Sequence, residues 1–489
     1  MRKHFQQQSR FDCAPIASVP LNLECRDEIV PILYGLRHLY SLPEFRLKAV
    51  KLIEADLNEL TRRDVGRPGL DDWQVLVLAV VRLGCNLDYD KLEDYVSNHR
   101  ALRAIMGIGD WEASDGFSYR RIRDTLCQIK ATTIVNVNEL VVQAGHAIAP
   151  EAATSVRADS FVIETNIHHP SESSLLFDGV RKFVPLCVEL ASELKIEGWR
   201  QSMHLVKKIK KLKQDIGRVA ASKSKDKAEV MRILYSDLIT RVEQLIERAD
   251  ALIDSAKANR RTQALTLKII TIQHWVELTE RVNKTARRRV LDGETVPNED
   301  KVFSLFEPHT QLYRRGKAGQ PNQYGRLVLV YEDAAGFISH YHMMAREATD
   351  DGVVVEQTKI AQEKHNGCIN TASFDRGFHS ANNVVALSQV VSDVCLPPRA
   401  PTAYAEQMKN ASVKFHNTRL RHSGIESAIG AMQRGNGLKR CRDRTEAGFE
   451  RYFGLAVLGR NIHTLGKLLL ARHHGQTAAA YSRRDAQAA

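Results

Sequence analysis

Residues 156–170 read VRADSFVIETNIHHP, and the reading of this stretch decides the rest of the chain. Val156, Ala158, Ser160 and Val162 share one parity, while Asp159, Phe161, Ile163 and Thr165 share the other. Val, Ile, Phe and Thr favour strands, so the run predicts a largely buried β-strand. An unpaired carboxylate is costly in such a place, and Asp159 therefore needs a partner. A metal ion is one candidate. An arginine at a wet strand end is the other.

The 489 residues allow about three domains. With 43% hydrophobic and 26% charged residues, the composition is that of a globular protein. The balance of 70 Lys/Arg against 58 Asp/Glu gives a net charge of +12, which favours an anionic partner such as nucleic acid. Eight cysteines are scattered from Cys13 to Cys441 without a CxxC pair. They read as neutral thiols in a reducing compartment rather than as zinc ligands. The amino terminus, MRKHFQQQSRFDC, lacks the apolar segment of a secretory signal, and no run of about 18 apolar residues occurs. A cytoplasmic location is expected.

Working outward, residues 1–150 carry helical periodicity. Ile29, Ile32, Leu33, Leu36 and Leu39 mark a first helix, and Phe45, Val50, Ile53 and Leu57 a second. Asp71 or Asp72, then Asp88 or Asp90, then Ser118 stand where N-caps belong. Short helices with brief polar joints suggest a helix-turn-helix-like DNA-binding region. Its groove-facing candidates are Tyr119, Arg120, Arg121 and Arg123, which would otherwise solvate a surface helix.

Residues 151–195 hold the opening strand and a helix capped by Ser171 or Ser173. Residues 196–300 change character, with long helical periodicity. Between Lys207 and Arg261 stand 15 Lys/Arg against 8 Asp/Glu. A basic helical hairpin or coiled-coil-like arm is expected there, either a DNA-gripping or subunit-contacting insertion or simply a solvated face. Residues 301–475 return to strands and helices. They include two strands joined at Asp333-Ala334-Ala335-Gly336, and a short strand ending at Phe374. Residues 476–489 read as a disordered tail.

With the insertion set aside, the order after 150 is that of an α/β core with a mixed sheet. Three carboxylates then become candidates for chemistry. Asp159 is on the first strand, Asp375 follows a strand end, and Glu426 is on a late helix. On that helix Ile425, Ile429 and Met432 form a buried stripe, with His422, Glu426 and Gln433 on an adjacent one. Three converging carboxylates offer hard oxygen ligands for Mg²⁺ or Mn²⁺. Two ions about 4 Å apart would serve an in-line displacement at phosphorus. The structural alternatives are a helix cap at Asp375 and a surface position at Glu426.

Several longer blocks narrow the choice. DSFVIETNIHHPSESSLLFDGVR resembles the first catalytic block of DDE transposases of bacterial insertion sequences, in particular the ISNCY group. EPHTQLYRRGKAGQPNQYG, SFDRGFHSANN, and RHSGIESAIGAMQRGNGLKRCRDR with AVLGRNIHTLGKLL resemble later blocks in the same order. RPGLDDWQVLVLAVVRLGCNLDYDKLEDYVSNHRALRAIMG is similar to the helical amino-terminal region of such enzymes.

The resemblance implies a multidomain α plus α/β chain with a ribonuclease-H-like mixed-sheet core, interrupted by a long helical insertion. It implies that Asp159, Asp375 and Glu426 hold two Mg²⁺ ions. The implied reaction cleaves a strand at each transposon end and joins the freed 3′-hydroxyl to target DNA. The implied partners are double-stranded DNA, both ends and target, and further copies of the chain in at least a dimeric synapse. The setting would be the bacterial nucleoid. A nuclease without strand transfer and an inactive DNA-binding repressor are the rival readings.

One departure concerns basic residues around the Glu. Related enzymes carry Arg four before it and a basic residue seven after. Here those positions are His422 and Gln433, with Arg421 and Arg434 one step away. Arg421, Arg434, Arg376 and the loop residues Arg314, Arg315 and Lys317 remain candidate DNA contacts. His168-His169 reads as a polar strand end, and Trp199 and Trp275 as helix-packing residues.

Overall fold

The computed structural model describes residues 12–59, 69–109, 117–258, 262–314 and 321–488. Seven helices come first, formed where periodicity and caps place them. They are α1 (Ile29–Ser41), α2 (Pro43–Glu59), α3 (Asp72–Gly84), α4 (Tyr89–Asn98), α5 (Arg100–Ile105), α6 (Tyr119–Leu126) and α7 (Ala131–Ile148). Asp71 and Gln74 close a capping box on α3, while Asp88 and Ser118 cap α4 and α6 through their side chains.

Strand β1 (Ser155–Thr165) follows, then α8 (Glu172–Leu194), α9 (Ser202–Ala221), α10 (Lys227–Lys257) and α11 (Gln263–Ala286). Next come β2 (Gln311–Tyr313), β3 (Gln323–Asp333), β4 (Ile338–Met343), α12 (Asp350–Lys364), β5 (Thr371–Phe374), α13 (Ala381–Ser388) and β6 (Asp393–Cys395). The chain closes with α14 (Pro401–Asn410), α15 (Val413–His422), α16 (Gly424–Gly435), β7 (Arg440–Cys441) and α17 (Glu446–Ala488).

The chain divides into two compact units. Unit 1 comprises residues 1–164 and 326–489, and unit 2 residues 165–325. In the sheet β3 lies beside β1, β1 beside β5 and β5 beside β6. The β1–β5 and β5–β6 pairs are parallel, whereas β3 and β4 form an antiparallel hairpin. The chain thus leaves β1 for β3 on one side and returns to β5 on the other, which makes the β1–β5 boundary a switch point. The short β7 pairs with β1, and β2 pairs with Gln323–Gly325 at the start of β3. The class is α plus α/β with a mixed sheet, as expected; β2 and β7 were too short to be seen in the sequence.

The unit boundaries correct the expected divisions at 150, 195 and 300. Residues 1–150 do not form a separate body, because one apolar cluster runs through them into the sheet and the last helices. Leu33, Trp73 and Val137 share it with Phe161, Val330, Ile338, Met432, Phe453 and Val457. Close approach is possible because small residues meet. A Cβ on Gly459 of α17 would stand 2.6 Å from the Gly84 backbone nitrogen, so the two helices touch backbone to backbone. Asn461, fully buried on α17, accepts from the Ile338 amide and donates to the Ile338 carbonyl and to Asn138 on α7. That side chain joins both ends of the chain to β4. The expected disordered tail is a second difference: α17 continues as helix to Ala488, through an alanine-rich stretch with high helix propensity.

Unit 2 is also more compact than the arm expected. Helices α8 to α11 share their own core, including Leu176, Phe183, Ile209, Leu238, Val242, Ile253 and Val276. The helix after β1 belongs to this bundle, not to the sheet. Its Ser171 cap forms as expected, and Pro185 lies within a continuous helix. Trp199 is buried under Arg248, whose guanidinium lies 4.8 Å from the ring centre, and Trp275 packs on Phe306 at 5.6 Å. Both tryptophans hold helices together.

Burial sets a pH dependence of stability. His340 on β4 is pushed down to about 3, by burial first and then by Lys364, His342 and His365. His463 on α17 is pushed down to about 4 by burial, Lys467 and Arg460. Both are neutral when folded at pH 7, whereas an unfolded histidine takes a proton near 6.5. The unfolded chain therefore binds more protons below pH 6.5. Stability is full above that pH and falls towards pH 4, by about 1 kcal/mol per unit for each group. Urea midpoints at pH 7 and pH 5 should show this fall, and a His340→Gln/His463→Gln variant should show a flatter one. Equal slopes in the two proteins would refute the assignment.

Candidate acidic site on the sheet

The parallel register sets the geometry. Arg157 pairs with Ser373 and Ala158 with Phe374, so the next residues, Asp159 and Asp375, emerge side by side where β5 ends. Asp159 is half-buried and its Oδ1 accepts from the Ser160 amide at 2.7 Å. Asp375 opens a short 3-10 turn (Arg376–Phe378), but its carboxylate makes no cap hydrogen bond. The helix-cap explanation for Asp375 therefore fails. The carboxylate faces Arg419 of α15 instead, at 3.6 Å.

Alternation along β1 puts Arg157 on the same face as Asp159. Arg157 Nε donates to the buried Glu332 on β3 at 2.6 Å, and its Nη1 donates to the Arg421 carbonyl at 2.7 Å. His422 hydrogen-bonds Ser373 Oγ at 3.0 Å. The turn between α15 and α16 is thus fixed on β1 and β5, two residues before each aspartate. Gly424 lies against Arg157 so closely that a Cβ would stand 2.1 Å from Nη1. Two residues on, Glu426 is exposed in the first turn of α16, while Ile425, Ile429 and Met432 bury the stripe expected of them.

Two details differ from the sequence reading. His422 does not share a stripe with Glu426: it ends α15, and it is buried at 5% exposure. Burial, with Arg419 close by, pushes it down to about 4, so it stands neutral beside the aspartates. Among the described residues, no three His, Cys, Asp or Glu side chains stand close enough together to hold a metal ion. The register makes an acidic pair, and Glu426 stands exposed on α16.

The other candidate residues divide. Arg376 follows Asp375 and lies over the Tyr404 ring at 4.1 Å. Arg399 donates to the Gly377 carbonyl at 2.7 Å and so supports the same turn. Arg421 is exposed at the turn that Arg157 holds, and Arg434 is exposed at the end of α16. Arg120 and Arg123 are exposed on α6, with guanidinium groups 5.8 and 6.0 Å from the Tyr119 ring centre. Arg123 also pairs with Asp124 at 2.8 Å. Arg121 follows on the same helix, half-exposed, and its amide donates to Ser118. Arg314, in unit 2, is exposed, while Arg315 and Lys317 lie outside the described residues. His168 pairs with Asp178 at 2.7 Å, a polar strand end and not a metal site.

Arg157, Glu332 and Arg419 were not singled out in the sequence. Arg157 had one signal, its parity with Asp159. Arg419 had none, since its partner is 44 positions away. Among the described residues no helix is long and apolar enough to cross a membrane. Comparisons with protein-family models, with curated proteins and with solved structures returned no match.

Burial pushes the Glu332 carboxyl up, against the pull of Arg157. Replacing Arg157 by Met leaves that carboxylate unpaired at 3% exposure, a cost of about 3 kcal/mol. The urea midpoint should fall accordingly, and adding Glu332→Gln should recover part of the loss. A midpoint unchanged by Arg157→Met would show that the pair holds nothing.

Proposed function

We propose that this chain is a DDE transposase, built on a ribonuclease-H-like core, that binds the ends of its own element. It would cleave a DNA strand there and join the freed 3′-hydroxyl to target DNA. The observation that carries the reading is the β1–β5 register, which sets Asp159 beside Asp375 at a switch point of an α/β sheet. Glu426, exposed at the start of α16, is the third member named by the resemblance. Hard carboxylate oxygens suit Mg²⁺ or Mn²⁺, and Asp159, Asp375 and Glu426 are the residues that would hold two such ions. Bound there, the ions would supply charge stabilisation and a more acidic water.

The chain's own residues prepare that face. Arg157 holds the turn that carries Glu426, neutral His422 braces it on Ser373, and Arg419 balances Asp375. Arg376, Arg421 and Arg434 are cations suited to phosphates near the carboxylates, and Arg120 and Arg123 suit a separate DNA contact. Two ends must be cut and joined together, so the working form would be a DNA-bound dimer or larger oligomer.

The test incubates the full chain with Mg²⁺ or Mn²⁺ and labelled DNA carrying the sequences that flank its gene. Strands joined to a second DNA are expected. Cleavage without joining would support a nuclease instead. Asp159→Asn should lower cleavage by at least about 100-fold, the upper end of the loss found for residues that merely support metal ligands. Mn²⁺ affinity, read by calorimetry, should fall in parallel. Absent cleavage in the parent chain, or cleavage untouched by the substitution, would remove the catalytic assignment.

A further inference from the structure

Unit 2 carries 29 Lys/Arg against 20 Asp/Glu, a net +9 out of +12 for the whole chain. Most of that excess is in one place. Residues 202–225, which are α9 and the turn after it, hold eight Lys/Arg and a single acid, Asp215. Lys207, Lys208, Lys210, Lys211, Lys223 and Lys225 are all exposed.

Elsewhere in this unit several cations are matched on the spot. Arg241 pairs with Asp237, Arg287 with Glu243, Lys268 with Glu189 and Lys284 with Glu280, each at 2.7 Å. Among the described residues none of the six lysines has an ion pair. Those on α9 also repel one another, because Lys207 stands three and four residues from Lys210 and Lys211, and Lys208 three from Lys211. An ordinary solvated face mixes its signs, as α10 and α11 do. A cluster of unpaired lysines kept against its own repulsion implies an external anion.

We infer that α9 and the turn at Lys223–Lys225 form a surface that grips the phosphate backbone of duplex DNA without reading its sequence. Three features select this partner. The unpaired, exposed lysines of α9 run from Lys207 to Lys211, about 6 Å of straight helix, and Lys223 and Lys225 add two more in the turn after it, enough cations for several phosphates. The exposed face of α9 has no Phe, Tyr or Trp to build a platform on which successive unpaired bases would stack, which argues against single strands. The apolar side of α9, at Val206, Ile209 and Ile216, is buried in the bundle and unavailable to a lipid surface. The inference rests on the DNA partner of the proposed function but not on its chemistry.

Binding of the full chain to a labelled 30-base-pair duplex of arbitrary sequence is followed by fluorescence anisotropy across a KCl series. A Lys207→Gln/Lys208→Gln/Lys210→Gln/Lys211→Gln variant keeps good helix formers, and circular dichroism checks its fold. Its slope of log affinity against log salt should be shallower than the parent's by about 4, from four contacts at roughly 0.9 each. Lys223→Gln/Lys225→Gln, outside the helix, should lower it by about 2 and guards against misfolding of the first variant. Arg241→Gln, at a paired cation, should leave it unchanged. Unchanged slopes in both lysine variants overturn the surface, and so does loss of binding to phosphatidylserine vesicles with duplex binding intact. Asp159→Asn should keep the parental slope. If that variant loses cleavage while the lysine variants keep parental slopes, the surface falls and the transposase reading stands.

Discussion

The guanidinium of Arg157 is the constraint on which the acidic face depends. It leaves β1 on the side of Asp159, binds the buried Glu332 on β3 and reaches the carbonyl of Arg421. One side chain thereby ties two strands to the turn that launches α16. The tie is strong for a physical reason: Glu332 is 3% exposed, and a buried carboxylate without its cation is costly. Gly424 is required at this point because the guanidinium fills the space a Cβ would take. Position, charge and backbone freedom all meet within a few residues, and the third carboxylate follows two residues later.

The same logic of buried polar ties holds unit 1 together across the sequence. Arg82 of α3 binds Asp443 through two nitrogens at 3.0 and 2.5 Å, with Tyr89 stacked 3.8 Å from the guanidinium carbon. Asn461 makes its bonds to Ile338 and Asn138 in a place with no water to replace them. Such groups add less stability than the apolar surface around them, but each leaves an unsatisfied charge or amide in any other packing. They select this arrangement of the first and last helices on the sheet over alternatives of similar burial.

The sequence revealed elements better than partnerships. Helix starts at Asp71, Asp88, Ser118 and Ser171 were legible because capping is local chemistry. The hairpin turn at Asp333–Gly336 was legible because Gly336 adopts φ +88° and Asp333 Oδ1 accepts from the Ala335 and Phe337 amides. The unit boundaries were not legible. Periodicity shows that a helix has an apolar face without naming what covers that face, so α8 was assigned to the sheet when it belongs with α9 to α11. The acidic pair was half legible. A strand aspartate and a strand-end aspartate stood out, but their adjacency comes from a parallel register between segments more than 200 residues apart. Arg419 beside Asp375, and His422 turned inward to Ser373, depend on tertiary packing alone.

Charge is distributed unevenly between the units, in a way that suits the two demands of the proposed function. Unit 1 has 41 Lys/Arg against 38 Asp/Glu, near balance, and several of its cations around the acidic pair have partners of their own. Arg157 is bound to Glu332, Arg419 faces Asp375, and Arg376 is stacked on Tyr404. A carboxylate pair needs that restraint, since a dense field of free cations would compete with a metal ion for its oxygens. Attraction of a polyanion needs the opposite, many cations with no partner of their own, because each contributes by displacing counterions from the ligand. The chain carries its excess of lysines on α9, in a unit with its own core, and leaves unit 1 near charge balance.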